Sequence, residues 1–257
     1  MSDTSSPSST KAKLWFSVPP KNGIRAYTHF DIDPITGQRT TNLGKEGRKS
    51  YPPHHTTFAN DEDIVREYYP ESIELIKKLT GASRIEIYDH TVRRRRPGEN
   101  DDSPGRRQPN TRVHVDQSSK AAIARVHLHM SAADVPELLE KRFQIINLWR
   151  PIHHAAVDWP LTLCDYRSVD PSDLFPVARI YPHHEGETLG VKYNPNHKWK
   201  YLSGMTPDEL VLIKCFDSVQ DGSVAVFTPH TAFEDPNTPA GTPPRQSIEL
   251  RALVFYD

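Results

Sequence analysis

Short runs of apolar residues, many with polar residues at every second position, dominate the chain from residue 141 onward. Because strand side chains alternate between the two faces of a sheet, this pattern is typical of strands with one buried face. The later runs predict strands over residues 142–150, 160–168, 177–182, 188–193, 197–202, 209–216, 223–229 and 245–256. Earlier runs predict strands over residues 13–18, 24–31 and 84–94.

Helical signals occupy two stretches. Asn60 precedes three acidic residues, which suits the N-terminus of a helix, and that helix is predicted to reach Leu79 after an interruption by a proline. The main helical stretch covers 118–140, where Ser131 and Asp134 predict a capping box. Helices followed by many short strands indicate a β-rich α+β fold, closed or two-sheeted, with helices packed outside.

The composition excludes several classes of protein. The chain has 257 residues, of which 25% are charged, and a formal net charge of −1, so no charge excess directs it to nucleic acid or membrane. It lacks an apolar run of the ~18 residues that a membrane-spanning helix requires, and its start lacks the apolar core of a signal peptide. Cys164 and Cys215 lie in apolar runs, which predicts buried free thiols and a cytoplasmic protein.

Two polar segments are expected to lie outside the core. Residues 1–11 are polar and of low complexity, which predicts a disordered tail and leaves 12–257 as a single domain. Four consecutive arginines occupy 93–96, but acidic residues follow at once and no aromatic residues interleave. We therefore expect a solvated loop there, with a substrate-facing lid as the alternative and a nucleic-acid patch disfavoured.

A candidate metal site begins in residues 111–117. His114 and Asp116 are two positions apart, so on a strand both side chains leave the same face, about 6.6–7 Å apart at the backbone. His230, in Phe-Thr-Pro-His, would have to arrive from a neighbouring strand. Two imidazoles and one carboxylate can occupy one face of a six-coordinate metal, the arrangement of non-haem Fe(II) oxygenases. Since His-x-Asp pairs also occur by chance, the interpretation depends on His230.

A candidate anion site lies on the last predicted strand. Its apolar face carries Ile248, Leu250, Ala252 and Val254, and its other face carries Arg245, Ser247, Glu249 and Arg251. A polar row on such a strand should face a wet cavity or a partner. A guanidinium binds a carboxylate in bidentate fashion, so Arg245 with Ser247 could hold the distal carboxylate of 2-oxoglutarate. Arg251 shares that face and is the competing anchor.

Six segments resemble one known family. They are Phe143–Pro151 (Phe-Gln-Ile-Ile-Asn-Leu-Trp-Arg-Pro), 160–168, 197–201, 208–218, 229–236 and 244–256. Together they resemble the hydroxylase/desaturase family of fungal secondary-metabolite clusters, whose members are often labelled gibberellin-desaturase-like or aspergillic-acid hydroxylase-like. They are also similar to a protein of bacterial cephalosporin methoxylation. The resemblance covers roughly residues 12–257.

The resemblance implies a fold, a chemistry and a set of residues. The fold would be a double-stranded β-helix (jelly-roll, cupin-like) with flanking helices. The chemistry would be hydroxylation, desaturation or a related oxidation of a small natural-product intermediate, using Fe(II), 2-oxoglutarate and O₂. By that likeness His114, Asp116 and His230 are the iron ligands, and Arg245 with Ser247 is the co-substrate anchor.

Further candidates lie in the same segments. Asn147 is predicted to contact the co-substrate, or else to make a structural hydrogen bond. Trp149, Trp199 and Tyr201 are candidates for the substrate cavity, although core packing is the favoured interpretation of each. The histidine pairs at 54–55, 153–154 and 183–184 lack a matching acidic pattern, so no metal is expected there.

Two rival functions stay open at this point. One is a metal-dependent jelly-roll enzyme that does not use 2-oxoglutarate. The other is a non-catalytic accessory or binding subunit, because the methoxylation relative acts alongside a partner. The sequence also leaves open a homodimer, the identity of the substrate, and the choice between hydroxylation and desaturation.

Overall fold

The structure is a computed structural model that describes residues 9–14, 26–27, 36–42, 49–101, 104–180 and 185–257. The described residues form thirteen strands: β1 (Ser9–Leu14), β2 (Ala26–Tyr27), β3 (Thr36–Asn42), β4 (Arg84–Arg94), β5 (His114–Val115), β6 (Phe143–Pro151), β7 (Leu161–Cys164), β8 (Leu174–Ile180), β9 (Glu185–Val191), β10 (Trp199–Tyr201), β11 (Val211–Asp217), β12 (His230–Ala232) and β13 (Gln246–Phe255). They also form four α-helices: α1 (Asp61–Asp63), α2 (Tyr69–Thr80), α3 (Ser119–His129) and α4 (Val135–Glu140).

The strands are arranged in two sheets. The larger sheet has the order β1-β3-β10-β7-β12-β5-β9-β8-β2, and the smaller has the order β11-β6-β13-β4. Apart from the consecutive antiparallel strands β8 and β9, most neighbours in these orders are distant in sequence, so the sheets assemble mainly through crossovers. This arrangement confirms the predicted β-rich jelly-roll fold.

Apolar residues fill three layers defined by the two sheets. Ile145 and Trp149 of β6 pack with Leu161 and Leu163 of β7, so this cluster fills the space between the sheets. A second cluster lies on the other face of the smaller sheet, where Ile76 of α2 packs on strand residues. A third includes Val113, Val115 and Trp199 of the larger sheet. The alternation predicted for β13 is confirmed, because Ile248, Leu250, Ala252 and Val254 all lie in the α2 layer.

The first predicted helix is three joined pieces. Asn60 caps α1 by accepting a hydrogen bond from the Asp63 amide, residues Ile64–Tyr68 form a π-helical stretch, and α2 follows directly. Pro70 does not interrupt the helix, because it lies in the first turn of α2, where its missing amide hydrogen is not needed. Gly81 ends α2 with φ 74°, a left-handed conformation that favours glycine.

The second predicted helix divides into α3 and α4. The amide of Asp134 donates to Ser131 Oγ at 3.3 Å, which is one half of the predicted capping box. The other half is absent, because the Asp134 carboxylate pairs with Arg84 at 3.0 Å. A tertiary ion pair therefore replaces the local hydrogen bond.

A β-bulge interrupts the pairing of β4 with β13. Arg251 pairs with Asp89, whereas Ala252 pairs with Ile87, so Tyr88 has no partner across the strands. A bulge adds one residue to one strand and shifts the side-chain alternation beyond it. For that reason Ile85 and Ile87 lie in the same layer as Val92 despite their different spacing.

Several local predictions are corrected. Residues 223–229 do not form a strand but approach β12 as an irregular segment. The predicted strand 160–168 ends at Cys164, because the Asp165 side chain accepts a hydrogen bond from the Arg167 amide and starts a 3₁₀ turn. Residues 9–11 of the predicted tail belong to β1, and residues 1–8 lie outside the described residues.

The structure also bears on the expectations about the cysteines and about membrane-spanning helices. Cys164 and Cys215 are both buried free thiols, as predicted. Among the described residues, no helix combines the length and the apolar character needed to cross a bilayer.

The backbone of β9, the strand next to His114, lies in close contact with an aromatic ring of β8. Gly190 of β9 pairs with His114 on one side and with Phe175 of β8 on the other. A Cβ atom at Gly190 would lie 2.4 Å from the Phe175 ring. Only glycine therefore lets the ring cover the backbone at this place.

Gly190→Ala is expected to destabilise the protein by about 1–3 kcal/mol, because the added methyl group must displace the Phe175 ring. Chemical denaturation would measure the loss. Gly105→Ala is the matched control, since a Cβ there meets no atom within 4 Å. Equal free energies of unfolding for the two variants would show that the contact of Gly190 with the Phe175 ring does not affect stability.

Candidate functional site

Three predicted ligands converge between the sheets. His114 lies on β5 and pairs directly with His230 on β12, and Asp116 follows β5 by one residue. One ligand atom from each lies within 4.8 Å of those of the other two. Asp116 Oδ1 is 3.0 Å from His114 Nε2 and 3.9 Å from His230 Nε2. In the part of the chain that the structure describes, this is the one cluster of three such side chains.

The backbone fixes which nitrogen of each imidazole faces the cluster. Nδ1 of His114 donates to the carbonyl of Arg112 at 2.8 Å, and Nδ1 of His230 donates to the carbonyl of Thr228 at 3.0 Å. Each neutral ring therefore carries its hydrogen on Nδ1 and turns a bare Nε2 toward Asp116. Three acceptor atoms face one another, an arrangement that a cation between them would stabilise. The residues thus fit a divalent metal ion.

The charge states suit metal binding. Burial opposes the charge of Asp116, but the close contact with the His114 ring and the neighbouring His230 lower the pKa of its carboxyl well below the ordinary value. Burial, followed by the proximity of His114, lowers the pKa of His230. Metal ligands must be deprotonated carboxylates and neutral imidazoles, so both shifts favour the binding form near neutral pH.

A second group of polar side chains holds the carboxylate of Asp116 from behind. Asn147 Nδ2 donates to Asp116 Oδ2 at 2.5 Å and to Glu249 Oε1 at 2.9 Å. Glu249 in turn pairs with Arg251 at 2.9 Å. The Cys215 thiol lies 3.6 Å from the same Oδ2 atom. Burial and the charges of Asp116 and Glu249 raise the pKa of that thiol, so it is a donor here rather than a thiolate ligand.

Arg245 and Ser247 each carry a buried polar atom without a hydrogen-bond partner among the described residues. The Arg245 side chain is 2% exposed, and its Nη1 donates to the Trp159 carbonyl at 2.6 Å. Its Nε atom and Ser247 Oγ are buried without a hydrogen-bond partner among the described residues. Burial and the nearby Arg93 guanidinium lower the pKa of Arg245 to about 9. A bound carboxylate would supply the missing acceptors and the missing negative charge.

Arg251, the competing anchor, is already occupied. It pairs with Glu249 and with Asp89, each at 2.9 Å, and donates to Thr91 at 2.8 Å. Burial opposes its charge, but the carboxylates of Glu249, Asp116 and Asp89 raise its pKa above the ordinary value. Its hydrogen bonds are therefore satisfied within the protein.

The three aromatic candidates lie in two different places. Trp149 lies beside the site: it lines the cavity of about 30 Å³ between the histidines, and its ring lies 5.5 Å below the Arg245 guanidinium carbon. Trp199 and Tyr201 do not reach this cavity. The registers place His230 opposite Leu163, and Leu163 opposite Lys200, so both aromatic residues project from the other face of the sheet. There they pack in the outer cluster, which agrees with core packing rather than with a place in the substrate cavity.

Asn147 makes structural hydrogen bonds, one of the two alternatives that the sequence left open. Its amide hydrogens contact Asp116 and Glu249, which corresponds to the structural alternative rather than to a co-substrate contact. Its Oδ1 atom is buried without a hydrogen-bond partner among the described residues. Sequence reasoning placed Glu249 on the polar face but missed its partnership with Asn147, since the two residues are 102 positions apart.

Two large cavities adjoin the small one. A cavity of about 670 Å³, the polar cavity, shares Arg93, Asn110, Asp116, Arg179 and Arg251 with it. A cavity of about 460 Å³, the apolar cavity, shares Trp149 and Leu161 with it. The small cavity between the histidines, called here the metal cavity, therefore lies between a polar and an apolar space.

The arginine run and the histidine pairs have other roles. Arg93 and Arg94 belong to β4, and Arg93 lines the metal cavity, which sequence reasoning missed. Arg95 pairs with Asp158 at 3.1 Å, and Arg96 contacts Glu99 at 2.8 Å, so these arginines make local ion pairs. The pairs 54–55 and 153–154 form no ligand cluster, and 183–184 lies outside the described residues.

Asn147→Ala is expected to lower the stability of the metal-free protein by about 1–3 kcal/mol, because Asp116 and Glu249 lose their shared donor in a buried place. Thermal denaturation would measure the change, with the exposed Asn196→Ala as the matched control. Equal melting temperatures for the two variants would contradict a structural role for this amide.

Comparison with known proteins agrees with this geometry. A family model described as "Oxidoreductase/YMDC permease-like domain" matches residues 3–255. The chain is 38% identical over 237 residues to the hydroxylase/desaturase efuI of Hormonema carpetanum, covering 84% of this chain and 79% of that protein. It is 30% identical over 263 residues to the Fe(II)/2-oxoglutarate-dependent dioxygenase nvfI of Aspergillus novofumigatus, covering 96% and 92%.

A solved structure gives the same result. The iron and alpha-ketoglutarate-dependent endoperoxidase NvfI superposes with a TM-score of 0.78 at 26% identity, over 98% of this chain and 99% of that chain. The likeness therefore extends over nearly the full length and includes both sheets. Together with the His-Asp-His cluster, these findings identify an enzyme that uses Fe(II), 2-oxoglutarate and O₂. The chain belongs to the fungal hydroxylase/desaturase family of Fe(II)/2-oxoglutarate-dependent oxygenases.

Proposed function

We propose that His114, Asp116 and His230 bind the iron, and that Arg245 with Ser247 binds the distal carboxylate of 2-oxoglutarate. A small-molecule intermediate of secondary metabolism would reach the site through the polar cavity and be hydroxylated or desaturated there. One observation carries the proposal. The same cavity is lined by a cluster of three acceptor atoms and by the buried Arg245 guanidinium, which has no carboxylate partner among the described residues.

The chain's own residues position the reactants. With 2-oxoglutarate and O₂, iron supplies the oxidising power for cleavage of a C–H bond. The carbonyls of Arg112 and Thr228 keep the Nε2 atoms of the two imidazoles directed inward. Asn147 engages Oδ2 of Asp116 and leaves Oδ1 facing the histidines. These hydrogen bonds preset the ligand geometry before the metal arrives.

Arg245 would set the depth and orientation of the co-substrate. Its guanidinium is held by the Trp159 carbonyl and by the Trp149 ring, so its remaining donors have a fixed direction. A five-carbon diacid clamped at one end presents its 2-oxo acid end toward the metal cavity. The polar cavity then remains for the organic substrate, because it shares Asp116 with the metal cavity and extends to the exposed Lys120.

We further propose that residues 12–257 act as one oxygenase domain in the cytoplasm. The free thiols of Cys164 and Cys215 support a reducing compartment. Assembly into a homodimer is compatible with this proposal but is not required by it, because every residue assigned above comes from one chain.

His114→Ala and His230→Ala are each expected to weaken metal binding by more than about 100-fold. Removal of a residue that only hydrogen-bonds to a metal ligand already lowers metal affinity about 10- to 100-fold, and removal of a ligand should cost more. Anaerobic titration with Fe(II) would measure the affinity, and 2-oxoglutarate consumption should fall to background. His127→Ala, on the exposed face of α3, is the matched control. Undiminished iron binding in either ligand variant would refute the assignment.

Arg245→Gln is expected to weaken binding of 2-oxoglutarate by about 10- to 1,000-fold, because a charge-assisted carboxylate contact contributes roughly 1.5–3 kcal/mol and the buried site is left imperfectly paired. Calorimetry on the metal-loaded protein without O₂ would measure the affinity. The same substitution should hardly change the affinity for 2-oxopentanoate, which has a methyl group in place of the distal carboxylate.

Arg251→Gln provides the comparison for the anchor. Because Arg251 is paired with Glu249 and Asp89, its loss should reduce stability but leave the preference for 2-oxoglutarate over 2-oxopentanoate intact. If the preference disappeared in Arg251→Gln and survived in Arg245→Gln, the roles of the two arginines would be exchanged.

A further inference from the structure

The apolar cavity has no role in the mechanism described so far. Its volume is about 460 Å³, and among its lining residues are Leu163, Leu202, Met205 and Val211. It occupies a gap in the cluster between the two sheets. An apolar cavity does not hold water well, but it accepts small apolar molecules, including xenon.

Two bulky side chains separate this cavity from the metal cavity. Trp149 and Leu161 line both spaces, so each side chain has one surface toward the histidines and another toward the apolar residues. The wall is one side chain thick at these places. A small molecule can pass such a wall when the side chains fluctuate, whereas a large substrate cannot.

The opposite end of the apolar cavity faces solvent. Arg167 and Lys200 line it with side chains that are 82% and 44% exposed, and both pair with Asp165. The cavity therefore connects an exposed rim to the wall beside the metal cavity. The polar cavity approaches the metal cavity from charged residues such as Arg179 and Asp116, which suits a polar organic substrate better than an apolar gas.

We propose that O₂ reaches the metal cavity through the apolar cavity, by passing Trp149 and Leu161. O₂ is a small, uncharged and apolar reactant of this family, so it partitions from water into an apolar space. Separate routes would allow O₂ to arrive while the organic substrate fills the polar cavity. The inference rests on the proposed iron site, although the occupancy of the cavity can be tested without iron.

The first test is direct occupancy. Crystals of the metal-free protein under xenon pressure should show xenon among Leu163, Met205 and Val211. Val211→Phe should remove it, since Val211 lies opposite Trp149 at the end of β11 and a phenyl ring would fill the space. Leu212→Phe is the matched control, because its side chain packs in the α2 layer on the other face of the same strand.

The second test is kinetic. In Val211→Phe the KM for O₂, measured from 2-oxoglutarate consumption, should rise by about tenfold, which corresponds to about 1.4 kcal/mol of added barrier. The KM for 2-oxoglutarate and the iron content should stay at the wild-type values, and Leu212→Phe should change none of the three. If Val211→Phe does not fold, Leu202→Phe serves in its place, because Leu202 directly follows β10 and lines the same cavity.

Two outcomes would overturn the inference. One is a wild-type crystal that admits no xenon to the apolar cavity. The other is a folded, iron-loaded filling variant that excludes xenon but keeps the wild-type KM for O₂. Failure of the proposed iron site would look different, because xenon would still bind while the wild-type protein neither held iron nor consumed 2-oxoglutarate.

Discussion

The direct pairing of His114 with His230 across β5 and β12 is the contact on which the site depends. The two strands are short, and they are drawn from parts of the chain 116 positions apart, so the larger sheet alone brings them into register. A shift of one residue would turn one imidazole into the outer apolar cluster, because strand side chains alternate between faces. Gly190 on one flank and Leu163 on the other pair with these same two residues and keep the register fixed.

The space between the sheets is unusual for a core because it contains many ionisable groups. The metal ligands, Glu249 and four arginines (Arg93, Arg179, Arg245 and Arg251) lie beside Trp149, and Glu249 pairs with Arg251. A buried charge is tolerated only when it is paired and hydrogen-bonded. Within the described part of the chain, Arg245 has no ion pair and a buried Nε atom without a hydrogen-bond partner, and this is where we place the anion of the co-substrate. In this respect it differs from Arg251, which pairs with Glu249 and Asp89.

Much of this arrangement could be predicted from local patterns. The alternation in β13 and the two-residue spacing of His114 and Asp116 are properties of single strands, and both are confirmed. Alternation does not say which face points inward, so the sequence left open whether Trp199 and Tyr201 pack in the core or line the substrate cavity, and the register of β10 with β7 favours the core. The contact of Asn147 with Asp116 joins two strands, so no pattern within either segment could reveal it. The resemblance to a family supplied the co-substrate, which spacing alone left open.

The bulge at Tyr88 has a consequence for how this sequence can vary in length. Asp89 and Thr91 face the interior with Arg251, whereas Ile85 and Ile87 face α2, and the extra residue between them reconciles the two sets. Deletion of Tyr88 would restore a regular ladder and leave both sets on their present faces, whereas a deletion elsewhere in β4 would turn some of these side chains to the wrong face. An alignment gap at Tyr88 in a homologous chain is therefore compatible with the same active-site wall, whereas a gap elsewhere in this strand would indicate a different one.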